Sequence, residues 1–499
     1  MRSLQDIASF YQMKIQSPPS KLTLTIATIL SGLLWFFAID IRGDYGFLLW
    51  IAPLPILWIS LQSSARTSFF LAFLAYLIGR LSWLSFLSVL MPPVSIIIVS
   101  VLPPVLFGLY ILLNRWIVLK SQSAWSVFAF PVIVSAFEFL IFNNPVDGTA
   151  GGLAYTQSNY LTVIQIASVT GIWGIVFIAS LLPAAIVLVW YFRESRSKQI
   201  FTLVIASALL LGTIVFGLVR VNQTKPHTEV AVGITTVSEE LYGKMGDISS
   251  FESGRNQIVN QYIEQISSLA KQGARYILFP EKVLHVNKIQ KDSLITIFSN
   301  AASQLNAAII GGMAAKEDST WRNLVEFIPP TGAVQQYQKR FHVKGFEGHF
   351  ERGTQVGILR DTPLAGGMAI CKDMDFPQWL RNYQDVDLLF VPAWDFVQDG
   401  WLHARMAVLR GVENGYTIVR AGRQGRLTVS DYRGRIVAEA NCEDGSAQSL
   451  LAQAPVYHVD TLYSMWGDWF GWLCIFLTAG FVINAFITDR RLKQSRAGA

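Results

Sequence analysis

Val94 to Leu119 reads VSIIIVSVLPPVLFGLYILLNRWIVL, a run whose single charge is Arg115. An α-helix rises about 1.5 Å per residue, so about 20 apolar residues cross the hydrocarbon core of a bilayer. In that core every backbone polar group must be bonded internally, and a helix does this with one segment. The run is therefore read as a membrane helix. Working outward, similar apolar runs occur at 22–39, 46–61, 68–90, 124–142, 162–191, 200–219 and 470–487. The second is short and the sixth long, which gives about eight spans. Hydrophobic residues make up 52% of the 499 and charged residues only 15%, and the mean hydropathy is +0.39. Those values exclude an ordinary soluble protein.

Basic residues orient such a bundle, because Lys and Arg concentrate in cytoplasmic loops. Arg2, Lys14 and Lys21 precede the first run, and Arg66 separates the second from the third. Arg115 and Lys120 flank the next alternate loop, Arg193, Arg196 and Lys198 the one after, and Arg490, Arg491, Lys493 and Arg496 follow the last run. The intervening loops carry only Arg42, and 143–161 has no Lys or Arg. This alternation expects both termini in the cytoplasm and residues 224–466 outside it. The first run lacks a small-residue cleavage site and is read as a retained helix. From Val221 to Asp468 there are 24 Lys+Arg against 27 Asp+Glu, leaving 16 against 7 elsewhere. The formal charge of +6 thus lies where it meets anionic lipid, and needs no nucleic acid. Arg80 and Glu138 are ionisable residues inside spans, a placement expected to face a bundle interior.

The segment after Glu229 alternates short β-rich runs with helical patterns. Strands are expected at 229–236, 275–280, 307–313, 323–329, 333–338, 366–370, 387–393, 417–422, 426–430 and 435–439. An amphipathic helix carries Ile258, Tyr262, Ile266 and Leu269 on one face, and further helices cover 289–305 and 400–414. Hairpin turns fall at Pro329–Gly332 and Asp431–Gly434. Strands interleaved with helices predict a layered α/β domain. Reactive groups in such sheets gather beyond strand ends. Glu281, Lys339 and Cys371 each follow a strand directly, which places a base, a cation and a thiol together. A carboxylate that takes the thiol proton and an ammonium that stabilises an oxyanion make a nucleophilic site. Each residue alone also reads as an ordinary surface carboxylate, a solvated lysine or a core thiol. Cys371 and Cys442 both fall in this segment, and a disulfide between them is the competing reading. His342 and His349 form no metal-ligand spacing with Cys or Asp, so no metal and no cofactor are expected.

The order Phe279-Pro280-Glu281, Tyr337-Gln338-Lys339-Arg340, Ala369-Ile370-Cys371-Lys372-Asp373 resembles the Glu–Lys–Cys series of the nitrilase, or carbon–nitrogen hydrolase, superfamily. With helices before it and one after, nearly the whole chain resembles the bacterial apolipoprotein N-acyltransferase family. Tyr155-Thr156-Gln157, Gln165-Ile166-Ala167 and Gly171-Ile172-Trp173-Gly174 are similar to that family's late-span segment. Ala393-Trp394, His403, Arg410-Gly411-Val412-Glu413, Val419-Arg420-Ala421 and Gly467-Asp468-Trp469 are similar to its later stretches. The resemblance implies a polytopic α-helical membrane bundle (1–220), an extracytoplasmic nitrilase-like α-β-β-α sandwich (221–466), and a final helix with a basic tail (467–499). It implies a multi-pass monomer of the inner membrane with a periplasmic catalytic domain.

It also implies Glu281 as general base, Lys339 as oxyanion stabiliser and Cys371 as nucleophile, with Glu347, Lys372, Asp373 and Trp394 binding substrate or supporting the site. The implied reaction is ping-pong: a phospholipid gives an acyl chain to the thiol, and the α-amine of a lipoprotein's diacylglyceryl-cysteine takes it. Phe396, Trp401, Trp466, Trp469 and Trp472 are candidates for a lipid-facing mouth or interface anchors. The chain departs from the family in Lys372-Asp373, where Tyr-Glu is usual, in Lys344-Gly345-Phe346-Glu347, and in Gly422-Arg423-Gln424-Gly425. Lys372 beside the thiol is expected to favour thiolate. The other readings are a membrane-tethered carbon–nitrogen hydrolase, an acyltransferase with another amine acceptor, and a non-catalytic scaffold.

Overall fold

Seven helices among the described residues are long and apolar enough to cross a membrane: α1 (Lys21–Ala38), α2 (Ala65–Leu90), α3 (Pro93–Ser121), α4 (Ala124–Phe142), α5 (Ile172–Tyr191), α6 (Arg196–Asn222) and, at the C-terminal end, Trp469–Gln494. The computed structural model describes residues 19–143, 147–223, 228–243 and 251–497. Arg2, Lys14 and the side chain of Arg496 lie outside the described residues. The chain divides into two compact units. One comprises Met1–Phe139, Trp173–Ile214 and Phe470–Ala499; the other comprises Leu140–Ile172 and Val215–Trp469.

In the first unit small residues let helices approach closely, as membrane helices require when apolar burial gives no net drive. Gly32 faces Ile78, Gly79 faces Trp35 and Gly108 faces Phe69, each with no room for a Cβ. The rings of Trp35, Tyr76 and Phe107 close the seam between α1, α2 and α3. The 46–61 run is a 3-10 turn, Gly46–Trp50, followed by the short helix Leu54–Ser60. Trp83 Nε1 donates to Ile39 O at 2.7 Å where α1 ends. Arg115 donates to Ser60 O at 2.8 Å and Ser63 O at 2.7 Å, near the other end of α2. The short segment therefore runs between opposite ends of α2, although it is too short to count as a full-length span. Lys120 pairs with Asp489 at 2.5 Å, Lys198 donates to Gln122 O at 2.5 Å, and Gln122 bonds Tyr191. Basic residues of alternate loops thus gather at one end of this unit. Arg80 is buried with its guanidinium 4.7 Å from the Trp83 ring, and Glu138 is buried too.

The 162–191 run breaks at Gly171, whose φ of 65° is open to glycine and whose Cβ would strike the Tyr463 ring. Residues before the break form short helices, Leu161–Ile164 and Ala167–Thr170, that belong to the second unit.

Among the described residues the second unit holds two sheets and three long helices. Its strands are β1 (Thr228–Thr236), β2 (Tyr276–Asn287), β3 (Ala308–Glu317), β4 (Thr320–Ile328), β5 (Gln335–Gln338), β6 (Gly366–Met368), β7 (Leu388–Trp394), β8 (Thr417–Arg423), β9 (Arg426–Ser430), β10 (Ile436–Asn441) and β11 (Gln448–Val456). One sheet runs β11-β1-β2-β3-β4-β5 and the other β10-β9-β8-β7-β6, with the two-residue strand Gly357–Ile358 at its edge. Val232, Ile234, Leu278, Ile310 and Phe327 of the first sheet pack on Met368, Phe390, Val419 and Leu427 of the second. Helices α7 (Phe251–Lys271) and α8 (Lys288–Leu305) cover the first sheet's outer face with Ile258, Tyr262, Ile266, Leu294 and Phe298. Helix α9 (Gly400–Asn414) lies over the second, where Ala407 meets Leu389, Val391 and Ile418. The layering is α-β-β-α, as expected. Strand β11 had not been expected, because Ala452, Ala454 and Pro455 are residue types that strands disfavour.

Candidate active site

Glu281 does not end its strand. Strand β2 continues to Asn287, and its register against β3 slips between Phe279 and Leu284. Glu281 and Lys282 occupy that bulge, with Lys282 at φ 51°. A bulge re-aims the side chains at it. Gly312 of β3 makes room: a Cβ there would lie 2.5 Å from Pro280 O. Lys339 follows β5 and is anchored by its N–H donating to Asn323 O at 2.9 Å. Cys371 follows β6 by three residues, at φ 44°, a left-handed conformation that costs energy for a residue with a Cβ.

The acidic and basic groups converge. Lys339 Nζ lies 2.7 Å from Glu281 Oε1 and 2.8 Å from Glu347 Oε2. Asn323 Nδ2 donates to both carboxylates, at 2.6 Å and 3.0 Å. Lys282 pairs closely with Glu347 and sits 3.7 Å from Glu281, and Val343 N–H donates to Glu347 at 2.8 Å. Glu281, Lys339 and Glu347 are all buried. Two carboxylates facing two ammonium groups neutralise one another, which keeps the burial affordable. Burial alone would lower the Lys339 ammonium, but Glu281 and Glu347, with Cys371, hold it well above its ordinary value. Burial would raise Glu347, yet Lys339 and Lys282 hold it well below the usual carboxylate range.

Cys371 is half-buried, Cys442 and Cys474 are buried, and none of the three is bridged, so the disulfide reading fails. Its Sγ lies 3.7 Å from Trp394 O. Burial and the Glu281 carboxylate push the thiol well up, while Lys339 and Arg420 pull it down. On balance these surroundings disfavour the thiolate form. Lys372, expected to favour thiolate, is not among the groups that most influence the thiol; its Nζ meets Asp375 Oδ2 and Asp147 O, both at 3.3 Å.

Asp373 supports the site from behind. Its carboxylate accepts from the N–H groups of Arg340, Phe341 and Ile370 and from the Tyr337 hydroxyl. That ties the chain after Lys339 to the turn at Cys371, and burial pushes the carboxyl up to about 6. Trp394 forms a wall: its ring lies between Arg423 at 4.1 Å and Lys282 at 5.3 Å, and its Nε1 donates to Gln424 at 3.0 Å. Phe396 packs on Phe346, beside Glu347. Trp401 is buried and so cannot anchor at an interface, whereas Trp466 and Trp472 are exposed.

Asn323 and Lys282 had escaped sequence reasoning. The available signals were a polar residue opening an otherwise apolar strand and a lysine adjoining Glu281. Among the described residues Asp395, Asp399 and His403 also cluster as metal ligands would. Arg420 binds Asp395 through two bonds, 2.9 Å and 2.5 Å, and His403 pairs with Asp399 at 2.9 Å. The carboxylates already have their own cations.

A two-sheet α-β-β-α unit that gathers a cysteine, a lysine and two glutamates, in a chain that also carries apolar helices long enough to span a membrane, has the architecture of a membrane-borne carbon–nitrogen-hydrolase-type protein. Residues 248–450 match the carbon-nitrogen hydrolase family, and residues 31–185 match the apolipoprotein N-acyltransferase N-terminal domain. Over most of its length the chain resembles the apolipoprotein N-acyltransferases. It is 23% identical to the apolipoprotein N-acyltransferase of Geobacter metallireducens, covering 93% of this chain and 95% of that protein. It is 26% identical to omega-amidase YafV of Escherichia coli K12, covering 36% of this chain and 76% of that protein. A carbon-nitrogen hydrolase from Helicobacter pylori G27 superposes with a TM-score of 0.41 at 14% identity, covering 49% of this chain and 94% of that one. The protein is a multi-pass membrane protein.

Proposed function

We propose that this protein is an N-acyltransferase that moves an acyl chain from a phospholipid, through a thioester on Cys371, to the α-amine of a diacylglyceryl-cysteine lipoprotein. The observation that carries the reading is the buried Glu281–Lys339–Glu347 cluster beside the half-buried Cys371, in a chain that also matches the N-acyltransferase membrane domain. In the first half-reaction Glu281 takes the thiol proton while sulfur attacks the ester carbonyl. The Lys339 ammonium stabilises the developing oxyanion. Collapse breaks the ester C–O bond, and the proton held by Glu281 passes to the leaving lysophospholipid oxygen. In the second, the acceptor amine attacks the thioester carbonyl and gives a proton to Glu281; the C–S bond breaks, and that proton passes to the leaving sulfur, which regenerates the thiol and releases the amide. Glu347 holds Lys339 in place, Asp373 holds the two site loops together, and Trp394 lines the site. Lys372 belongs to the supporting turn.

The basic loops support cytoplasmic termini, a periplasmic catalytic domain over 221–466 and residence in the inner membrane. The reading takes the protein as a monomer that needs no nucleic acid. The likeness to an omega-amidase supports a second reading, a tethered carbon–nitrogen hydrolase or a transferase to a different amine. The test incubates purified protein with labelled phospholipid and seeks a hydroxylamine-sensitive adduct on Cys371 by mass spectrometry. An adduct lost in Cys371→Ala supports the proposal; none in the wild type, or an equal one in the variant, overturns it. Loss of the thioester on adding a diacylated lipopeptide, rather than a small amine, then separates the two readings.

A further inference from the structure

The loop between α4 and α5 reaches the nucleophile's own turn. The backbone N–H and the Oγ1 of Thr149 both donate to Asp375 O, each at 2.8 Å. Asp375 closes the 3-10 turn Cys371–Asp375 that begins with the nucleophile. Gly148 makes the approach possible, since at φ 64° a Cβ would lie 2.6 Å from that same carbonyl. The hydroxyl of Thr149 is held in turn, at 2.5 Å from Tyr155 OH, which accepts from Arg410 Nη2 at 2.8 Å. Arg410 pairs with Glu413 at 2.8 Å, and Glu413 accepts the N–H of Ile172, the first residue of α5, at 2.9 Å. Thr149, Tyr155, Arg410 and Glu413 are all buried. A buried relay of this kind fixes geometry, because every member left without its partner costs desolvation.

We propose that Thr149 and Tyr155 are positioning residues for the nucleophile, acting through the Asp375 carbonyl to hold Cys371 in its left-handed turn. The strap that carries them is continuous with a membrane helix on each side, so the reactive geometry is set partly by a segment outside the carbon–nitrogen hydrolase domain. For turnover this inference rests on the acyltransferase reading, but its central measurement does not.

The test measures alkylation of Cys371 by iodoacetamide in the full chain, which needs no acyl donor, alongside phospholipid kinetics. In Thr149→Val and Tyr155→Phe, kcat for acyl transfer should fall about 10- to 100-fold with KM for phospholipid little changed, as a displaced nucleophile predicts. The alkylation rate and its pH profile should shift in the same variants, while the melting midpoint stays within about 2 °C of the wild type. Thr149→Ser keeps the hydroxyl and should restore all three readouts. The double variant should be no worse than the poorer single one, since both act on one carbonyl. Should Thr149→Val fold poorly, Gly148→Ala disturbs the same carbonyl from outside and should slow alkylation likewise. Wild-type alkylation and kcat in Thr149→Val and Tyr155→Phe would overturn the inference, as would losses matched by collapse of the melting midpoint. If the wild type forms no acyl adduct the acyltransferase reading falls, and the alkylation result still decides the strap.

Discussion

Asn323 contributes one amide to two buried carboxylates, so its replacement tests how far the charge cluster depends on neutral donors. Asn323→Leu should lower the melting midpoint, since an unsatisfied buried acceptor costs about 1–3 kcal/mol. It should also slow Cys371 acylation about 10- to 100-fold as Glu281 and Glu347 lose a shared anchor; calorimetry and adduct kinetics on the same preparation check both. His403 makes a pH prediction. Burial would lower it, but Asp399 raises it to about 9, above an unfolded value of about 6.5. Its pairing therefore stabilises the fold fully below pH about 6.5, and that contribution is lost as pH rises through about 9. The wild-type melting midpoint should fall from pH 7 to 10 more steeply than that of His403→Asn; parallel curves would refute the pairing. At this scale the sequence was readable only for residues whose chemistry shows in their type and order. Glu281, Lys339 and Cys371 stood out because each follows a β-rich run. Asn323 and Lys282 matter through contacts that folding alone creates, and adjacency along the chain gave no hint that the Lys372 ammonium would meet Asp375 and Asp147 O.

The bulge in β2 is the element on which the site turns. Without the slip between Phe279 and Leu284, Glu281 would keep the simple alternation of the strand. Gly312→Ala should force apart Pro280 and the β3 backbone, at a cost of about 1–3 kcal/mol. The variant should melt lower and also acylate more slowly, because Glu281 moves with the bulge; unchanged kinetics in a destabilised protein would separate fold from site. Regular strands and helices were legible because period-2 and period-3.6 patterns report burial directly. A bulge leaves no such period, which is why Glu281 was expected at a strand end. Strand β11 was hidden for a related reason: it is held by nine pairings to β1, which tolerate Pro455 where local propensity does not.

For the whole molecule, hydropathy and charge carried most of the outcome. The long apolar runs became helices, and the alternating basic loops came together at one end of the first unit. Two runs differed, 46–61 and 162–191, because a proline-containing turn and Gly171 divide them where length alone suggested continuous helices. Orientation is checked by single cysteines in a chain whose three native cysteines are replaced. A membrane-impermeant maleimide should label the exposed position 272 from the outer face in intact cells, and the exposed position 193 only after permeabilisation. Equal labelling of both, or the reverse order, would invert the assigned topology. The loop from Asp147 to Ile172 was legible as a family-like segment, but its role in bracing the nucleophile's turn was not. Nothing in a loop's own composition states what it will touch.

The left-handed backbone at Cys371 separates durability from reactivity. A side chain in that conformation costs about 1–2 kcal/mol that glycine escapes, so the proposed nucleophile sits at a position where the fold itself prefers no side chain. Cys371→Gly should accordingly melt higher than Cys371→Ala, with neither forming a thioester. The glycine form would then be the sturdier decoy for capturing an intact lipid donor, and selection for robustness alone would tend to erase the catalyst.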